Sequence, residues 1–174
     1  MCAGQGRDLF GVLADHPRRR DVRARLVELD ERNVEIARQT AARLNLVGTE
    51  VVEGDAGTTD VYANSVPAAI ILACGVFGNV TNEDVLRTVA TLPSLCAAGA
   101  TVIWTRHRGS PDLTPTIRGW FKRAGFAEER FDGPENLFIG VGMSRLVGDP
   151  RPFEPGQRLF DFVGYDVLGA HRQR

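Results

Sequence analysis

The chain has 174 residues, 43% of them hydrophobic and 25% charged, with 21 basic residues against 22 acidic and a formal net charge of -1. That length is one domain with a sizeable core, and the charge balance sets up no global field toward nucleic acid or a membrane surface. No apolar run reaches the ~18 residues of a membrane span and no signal peptide opens the chain, so the expected location is cytoplasmic.

Cys2, Cys74 and Cys96 are odd in number and irregularly spaced, which is no disulfide framework, and no CxxC pair suggests zinc. His16, His107 and His171 are too scattered for a ligand set, so no metal is expected. All but one of the basic residues are arginine, the exception being Lys122, and this reads as codon usage rather than a binding signal.

Taken in order, the chain opens on Cys2-Ala-Gly4-Gln-Gly6-Arg-Asp8, a glycine turn before a helix. Arg25–Glu28 is short, apolar and ends on an acid, as a buried strand does. Residues 31–44 predict a helix, with Val34, Ala37, Ala41 and Leu44 on one face, Asp30 as its cap and Gly48 closing the turn beyond. Glu50–Glu53 is the next strand. Ala68–Ala73 is a continuous apolar run, the pattern of a strand buried on both faces. Thr81-Asn-Glu-Asp84 matches a capping box, with Val85, Val89 and Leu92 on the apolar face of the helix it opens. Ala100–Trp104 is a further strand. Thr114-Pro115 places a cap and a proline at a helix start, and Gly125 stops that helix.

Strand and helix therefore alternate from Arg25 to Gly125, which means a mostly parallel sheet with helices on both faces. The ending differs. Phe126–Phe131 and Asn136–Met143 are joined by Asp132–Glu135, too short for a helical crossover, so they form an antiparallel hairpin. Residues 148–174 are rich in Pro and Gly and read as an extension to a domain over 1–147, with one apolar patch at Leu159–Val163.

Three features converge on ligand chemistry. The two glycines of the opening turn let backbone approach a ligand closely. Glu28 stands 22 residues after Gly6, at the carboxyl end of a strand, where its two oxygens match the two hydroxyls of a ribose. Asp55 follows the next strand and suits an adenine amino group. Each also has a plainer reading: an ordinary turn, a solvent-facing acid, and the turn residue of Gly54-Asp55. All three lie at carboxyl ends of strands, where open α/β sheets bind ligands.

Cys2-Ala-Gly-Gln-Gly6, Val27–Ala37, Val52-Glu-Gly-Asp-Ala56 and Leu72–Phe77, in that order, resemble the motifs of class I S-adenosylmethionine-dependent methyltransferases. Within that class, Cys74–Asn79 and Trp104–Arg108 look like a bacterial group whose substrates are not named by the resemblance. It covers residues 1–146 and implies a doubly wound, Rossmann-like α/β sheet, mostly parallel, with a C-terminal antiparallel hairpin. It implies further that Gly4 and Gly6 pass under the methionine part of S-adenosyl-L-methionine. Glu28 holds the ribose, Leu29 lies against the adenine, and Asp55 and the Ala56 backbone meet the adenine edge. Main-chain carbonyls of Cys74 and Gly75 take the methionine amino group. The family's strand before the glycine turn is almost absent here, and Cys2-Ala3 replaces the more usual Gly-Cys.

On the acceptor side, Phe77 and Asn79 are expected to shape a pocket, Arg106 and Arg108 to hold an acidic substrate, and His107 to act as general base. A solvated polar loop is the alternative for Arg106–Arg108, and a packed thiol for Cys74. The expected partner is a small-molecule acceptor, with no nucleic acid and no membrane. A nicotinamide-dependent Rossmann dehydrogenase also wants a glycine turn and a later acid, but Leu9 stands where its third glycine belongs. A non-catalytic remnant that only binds the cofactor is the other alternative. In a doubly wound sheet the strand before the glycine turn is central. The expectation is therefore a longer natural product with that strand upstream, or else its replacement by residues 159–163.

Overall fold

The computed structural model describes residues 1–134 and 137–163. Its elements are α1 (Arg7–Leu13), β1 (Ala24–Glu28), α2 (Glu31–Arg43), β2 (Thr49–Glu53), β3 (Ala68–Ala73), α3 (Asn82–Thr91), β4 (Cys96–His107), α4 (Thr114–Arg123), β5 (Phe126–Asp132) and β6 (Ile139–Leu146). The architecture is α/β and Rossmann-like, with parallel strands extended by an antiparallel hairpin. The strands form two sheets, β1-β2 and β3-β4-β6-β5. The pairs β1–β2 and β3–β4 are parallel, and β6 runs antiparallel to both β4 and β5. Glu135, expected at the end of the hairpin loop, and Asn136, expected at the start of the strand after it, lie outside the described residues, as do 164–174.

The chain divides into two compact units, Met1–Ala56 and Gly57–Arg174. The first is held by Phe10, Leu13, Leu26, Val34, Ala37, Ala41, Leu46 and Val51, the apolar faces of α1 and α2 laid on β1 and β2. The Asp30 side chain accepts from Asn33 N at 2.9 Å and caps α2. The left-handed residue after α2 is Asn45 (φ 53°) rather than Gly48. Gly48 is required for another reason: a Cβ there would stand 2.3 Å from the Val22 carbonyl oxygen. Ala3 N donates to Val27 O at 2.9 Å, so the opening residues run beside β1. In a parallel pair the bonding groups of successive residues alternate between the strand's two edges. Glu28 O bonds Gly54 N, just beyond β2, so Val27 O and Ala3 occupy the edge opposite β2.

In the second unit, Trp104 is fully buried, stacked on Phe121 of α4 (ring centroids 5.5 Å apart) with Phe77 against both. Ile71, Ala73, Val102 and Trp104 share that covered face. The two-sided burial expected for Ala68–Ala73 is not found, because Ile70, on the opposite face, is 65% exposed. β3 is the edge of its sheet.

Caps in this unit depart in detail from the sequence pattern. Thr81 Oγ1 accepts from Asp84 N at 3.1 Å, but Asp84 itself pairs with Arg87 instead of completing the capping box. Thr114 is the first residue of α4, not its cap. Asp112 holds the helix start, accepting from Thr114 N at 2.9 Å and from Thr114 Oγ1 at 2.7 Å.

Residues 148–163 form no strand, so they replace none. They run as a strap on the second unit, with Leu159 and Phe160 fully buried. Thr59 and Gln157 exchange hydrogen bonds, Leu159 N donates to Gly57 O at 2.7 Å, and Thr88 Oγ1 donates to Leu159 O at 3.0 Å.

Candidate functional site

The first unit gathers the glycine turn and both predicted acids. Cys2, Gly4 and Gly6 all have positive φ (49°, 53° and 70°), a tight curl that ends as α1 begins. Gly6 is needed for space as well as for φ, since a Cβ would lie 2.5 Å from the Phe10 ring and 2.6 Å from Leu26. Gly4 is different: its Cβ position is open, with nothing within 4 Å. The Glu28 carboxylate draws the turn to the end of β1, accepting from Gly4 N at 2.7 Å and from Asp30 N at 3.0 Å. A carboxylate has about four acceptor sites, so two remain for a diol.

Leu29, beside it, is 69% exposed. Asp55 is exposed and Ala56 buried. Burial pushes the Cys2 thiol up to about 11; the chain's amino terminus pulls it back, and the negative charges of Glu28 and Asp55 add to the rise.

The second unit holds the loop after β3. Gly75 is exposed, at φ 73°, and its Cβ position is also open. Its N–H donates to Thr105 Oγ1 at 2.9 Å, and its carbonyl accepts from Asn79 Nδ2 at 2.7 Å. Cys74 is half-buried. Asn79 therefore shapes the loop itself. Phe77 does not line a pocket: it is fully buried in the aromatic core. Thr105 was not singled out from sequence, although it immediately precedes the Arg106–Arg108 run at the end of β4.

The two arginines are engaged within the unit. Arg106 donates to the Phe77 carbonyl. Arg108 pairs with Asp112 at 3.2 Å and donates to Gly133 O at 2.5 Å, tying the hairpin loop to the start of α4. His107 is exposed and lies on Phe138, with ring centroids 6.0 Å apart. Its Nδ1 accepts from Gly109 N at 2.9 Å. The lone pair of the neutral ring is thereby occupied and the proton sits on Nε2, so the ring as placed donates rather than abstracts.

Among the described residues no group of three or more His, Cys, Asp or Glu could hold a metal ion, and no helix is long and apolar enough to cross a membrane.

No protein-family model and no curated protein matches the chain. Solved structures do. An O-methyltransferase family protein from Burkholderia thailandensis is similar over 90% of this chain at 16% identity and a TM-score of 0.66; the match spans 50% of that protein. An RNA methyltransferase from Salinibacter ruber, solved with S-adenosyl-L-homocysteine, matches 92% of this chain and 83% of its own (16% identity, TM-score 0.54). A methyltransferase from Pyrococcus furiosus matches 81% and 70% (15% identity, TM-score 0.57). The likeness shows the fold: a Rossmann-like α/β domain of the kind these methyltransferases share. The chain spans about half the length of the Burkholderia protein.

Proposed function

We propose that the chain binds S-adenosyl-L-methionine and directs transfer of its methyl group to a small-molecule acceptor. The observation that carries this is the Glu28 carboxylate. It closes a glycine turn whose Gly4 position is open to a ligand, and it keeps acceptor capacity at a strand's carboxyl end. Each unit, by itself, presents groups that suit one part of that cofactor. Glu28 accepts the ribose hydroxyls, Leu29 covers the adenine, and Asp55 and the Ala56 backbone meet its edge. Gly4 and Gly6 admit the chain of the methionine part. The carbonyls of Cys74 and Gly75 receive an ammonium group; the Gly75 oxygen has a second lone pair beyond the one given to Asn79.

When bound, the cofactor supplies a methyl already activated by a positive sulfur, so the protein contributes orientation and exclusion of water. This is why the chain needs no strong catalytic constellation. His107 offers an Nε2–H to an acceptor oxygen or nitrogen, and acts as a base only if its bond to Gly109 opens. Net charge near zero supports a small acceptor over nucleic acid.

Calorimetry with S-adenosyl-L-homocysteine, S-adenosyl-L-methionine and NAD tests the reading. Binding of the first two and not the third is expected. NAD binding alone would replace the reading with the dehydrogenase one, and cofactor binding without turnover on any acceptor would leave a binding remnant. If His107 takes part, His107→Ala lowers turnover by roughly 10²–10⁴ with cofactor binding intact. Unchanged turnover removes it from the mechanism.

A further inference from the structure

The core burial of the strap ends at Phe160, yet the chain continues over the surface to one further contact. Phe162 is 54% exposed and Val163 half-buried, so little apolar area is gained there. What those residues do make is a hydrogen bond: Val163 N donates to Asn79 O at 3.0 Å. Asn79 in turn donates through Nδ2 to Gly75 O at 2.7 Å, while its own N–H is given to Val76 O at 2.9 Å. The far side of Gly75 is held by Thr105.

Resting on the cofactor reading above, we propose that the strap is a positioning device for the methionine end of the cofactor. Val163 fixes Asn79, and Asn79 fixes the Gly75 carbonyl that receives the amino group. Gly75 is exposed and sits in the left-handed region, in a loop whose few bonds face water. A carbonyl there keeps one direction only if its neighbours are held, and preorganised groups bind better because less order is lost on binding. The strap supplies the fixed point. Leu159 and Phe160 are buried, Leu159 is bonded on both sides by Gly57 and Thr88, and Asp161 N donates to Asp84 Oδ2 at 3.3 Å. Asn79 is thus a positioning residue, and Val163 acts through it.

Two variants separate this role from general stability. One ends the chain after Asp161, keeping the buried anchors. The other is Val163→Pro, which removes the N–H donor and fixes φ there while keeping the length of the chain. Binding of S-adenosyl-L-homocysteine and of adenosine is measured by calorimetry, and folding by thermal unfolding followed by circular dichroism. Adenosine lacks the methionine part, and with it the ammonium group that the Gly75 carbonyl would receive. Both variants should stay folded, bind S-adenosyl-L-homocysteine roughly three- to tenfold more weakly, the worth of one hydrogen bond, and bind adenosine as the parent does. Unchanged affinity for S-adenosyl-L-homocysteine would overturn the proposal. Equal weakening of both ligands would also overturn it, because the strap would then be a general support. A parent chain that binds neither ligand defeats the cofactor reading, and this proposal with it.

Discussion

The Glu28 carboxylate holds two backbone N–H groups in the ligand-free chain, so its removal acts twice. On the proposed cofactor reading, Glu28→Ala would leave a ribose diol without its acceptor, at about 1–3 kcal/mol, and should weaken S-adenosyl-L-homocysteine binding roughly 5- to 150-fold by calorimetry. It also frees the Gly4 turn, so Glu28→Gln, which keeps one carbonyl oxygen, should fall between parent and Ala. The two glycines of the turn separate stability from binding. Gly6→Ala forces a methyl into Phe10 and Leu26 and should cost about 1–3 kcal/mol in urea unfolding. Gly4→Ala meets no protein atom, so only its left-handed φ costs, about 1–2 kcal/mol, and its larger effect should be on cofactor affinity.

The Cys2 thiol, raised from its ordinary 9.0 to about 11, stays protonated in the fold after the unfolded chain has lost its proton. Its contribution to stability is therefore intact below about pH 9 and falls as pH rises through 11. Burial pushes Cys96 up to about 12, with the same sign. Alkylation at pH 8, followed by mass, should modify both far more slowly in the native protein than after denaturation.

At the scale of elements, α4 depends on Asp112. Burial pushes its carboxyl up, but the bonds from the Thr114 amide and hydroxyl and from Arg108 outweigh that and hold it below the usual value. Its support is present above pH ~4 and lost as pH falls through the lowered value. Asp112→Ala should cost about 0.5–2 kcal/mol, read by denaturant unfolding. Phe160→Ala should cost about 3–5 kcal/mol by the same measurement, since a fully buried ring leaves a cavity under the strap.

Elements with a strong local signal were legible in the sequence. Asp30 and Thr81 announce α2 and α3, and the run Ala68–Ala73 matches β3 residue for residue. The surroundings of β3 were not legible, because two-sided burial is set by what lies on the sheet. β4 begins at Cys96, four residues before the predicted strand; Cys96 pairs with Ala68, and the register then breaks before it resumes at Ile70 and Thr101, an irregularity with no local signal. The strap carries no periodicity; its shape comes from side chains such as Thr59 and Thr88, far away in the sequence. In the site, the acids and glycines stood out by residue type. Phe77 misled because an aromatic beside a ligand loop and an aromatic in a core look alike in sequence.

For the whole molecule, β4 is twelve residues long with β3 on one side and β6 on the other, whereas β1 and β2 form a pair of five-residue strands. Amide hydrogen exchange should therefore be slowest at the centre of β4, around Val102 and Trp104, and faster throughout β1 and β2. Faster exchange in β4 than in β1 would contradict that ranking. The division at Ala56 also has an optical consequence. Trp104, Trp120, Tyr62 and Tyr165 all follow it, and Met1–Ala56 contains neither residue type. Intrinsic fluorescence excited at 280 nm therefore comes entirely from side chains of the second unit. A melting curve recorded that way draws no light from the segment bearing Gly4, Glu28 and Asp55. A Leu29→Trp variant would give that segment a chromophore at an exposed position, and an adenine ring stacking on it would register directly as quenching.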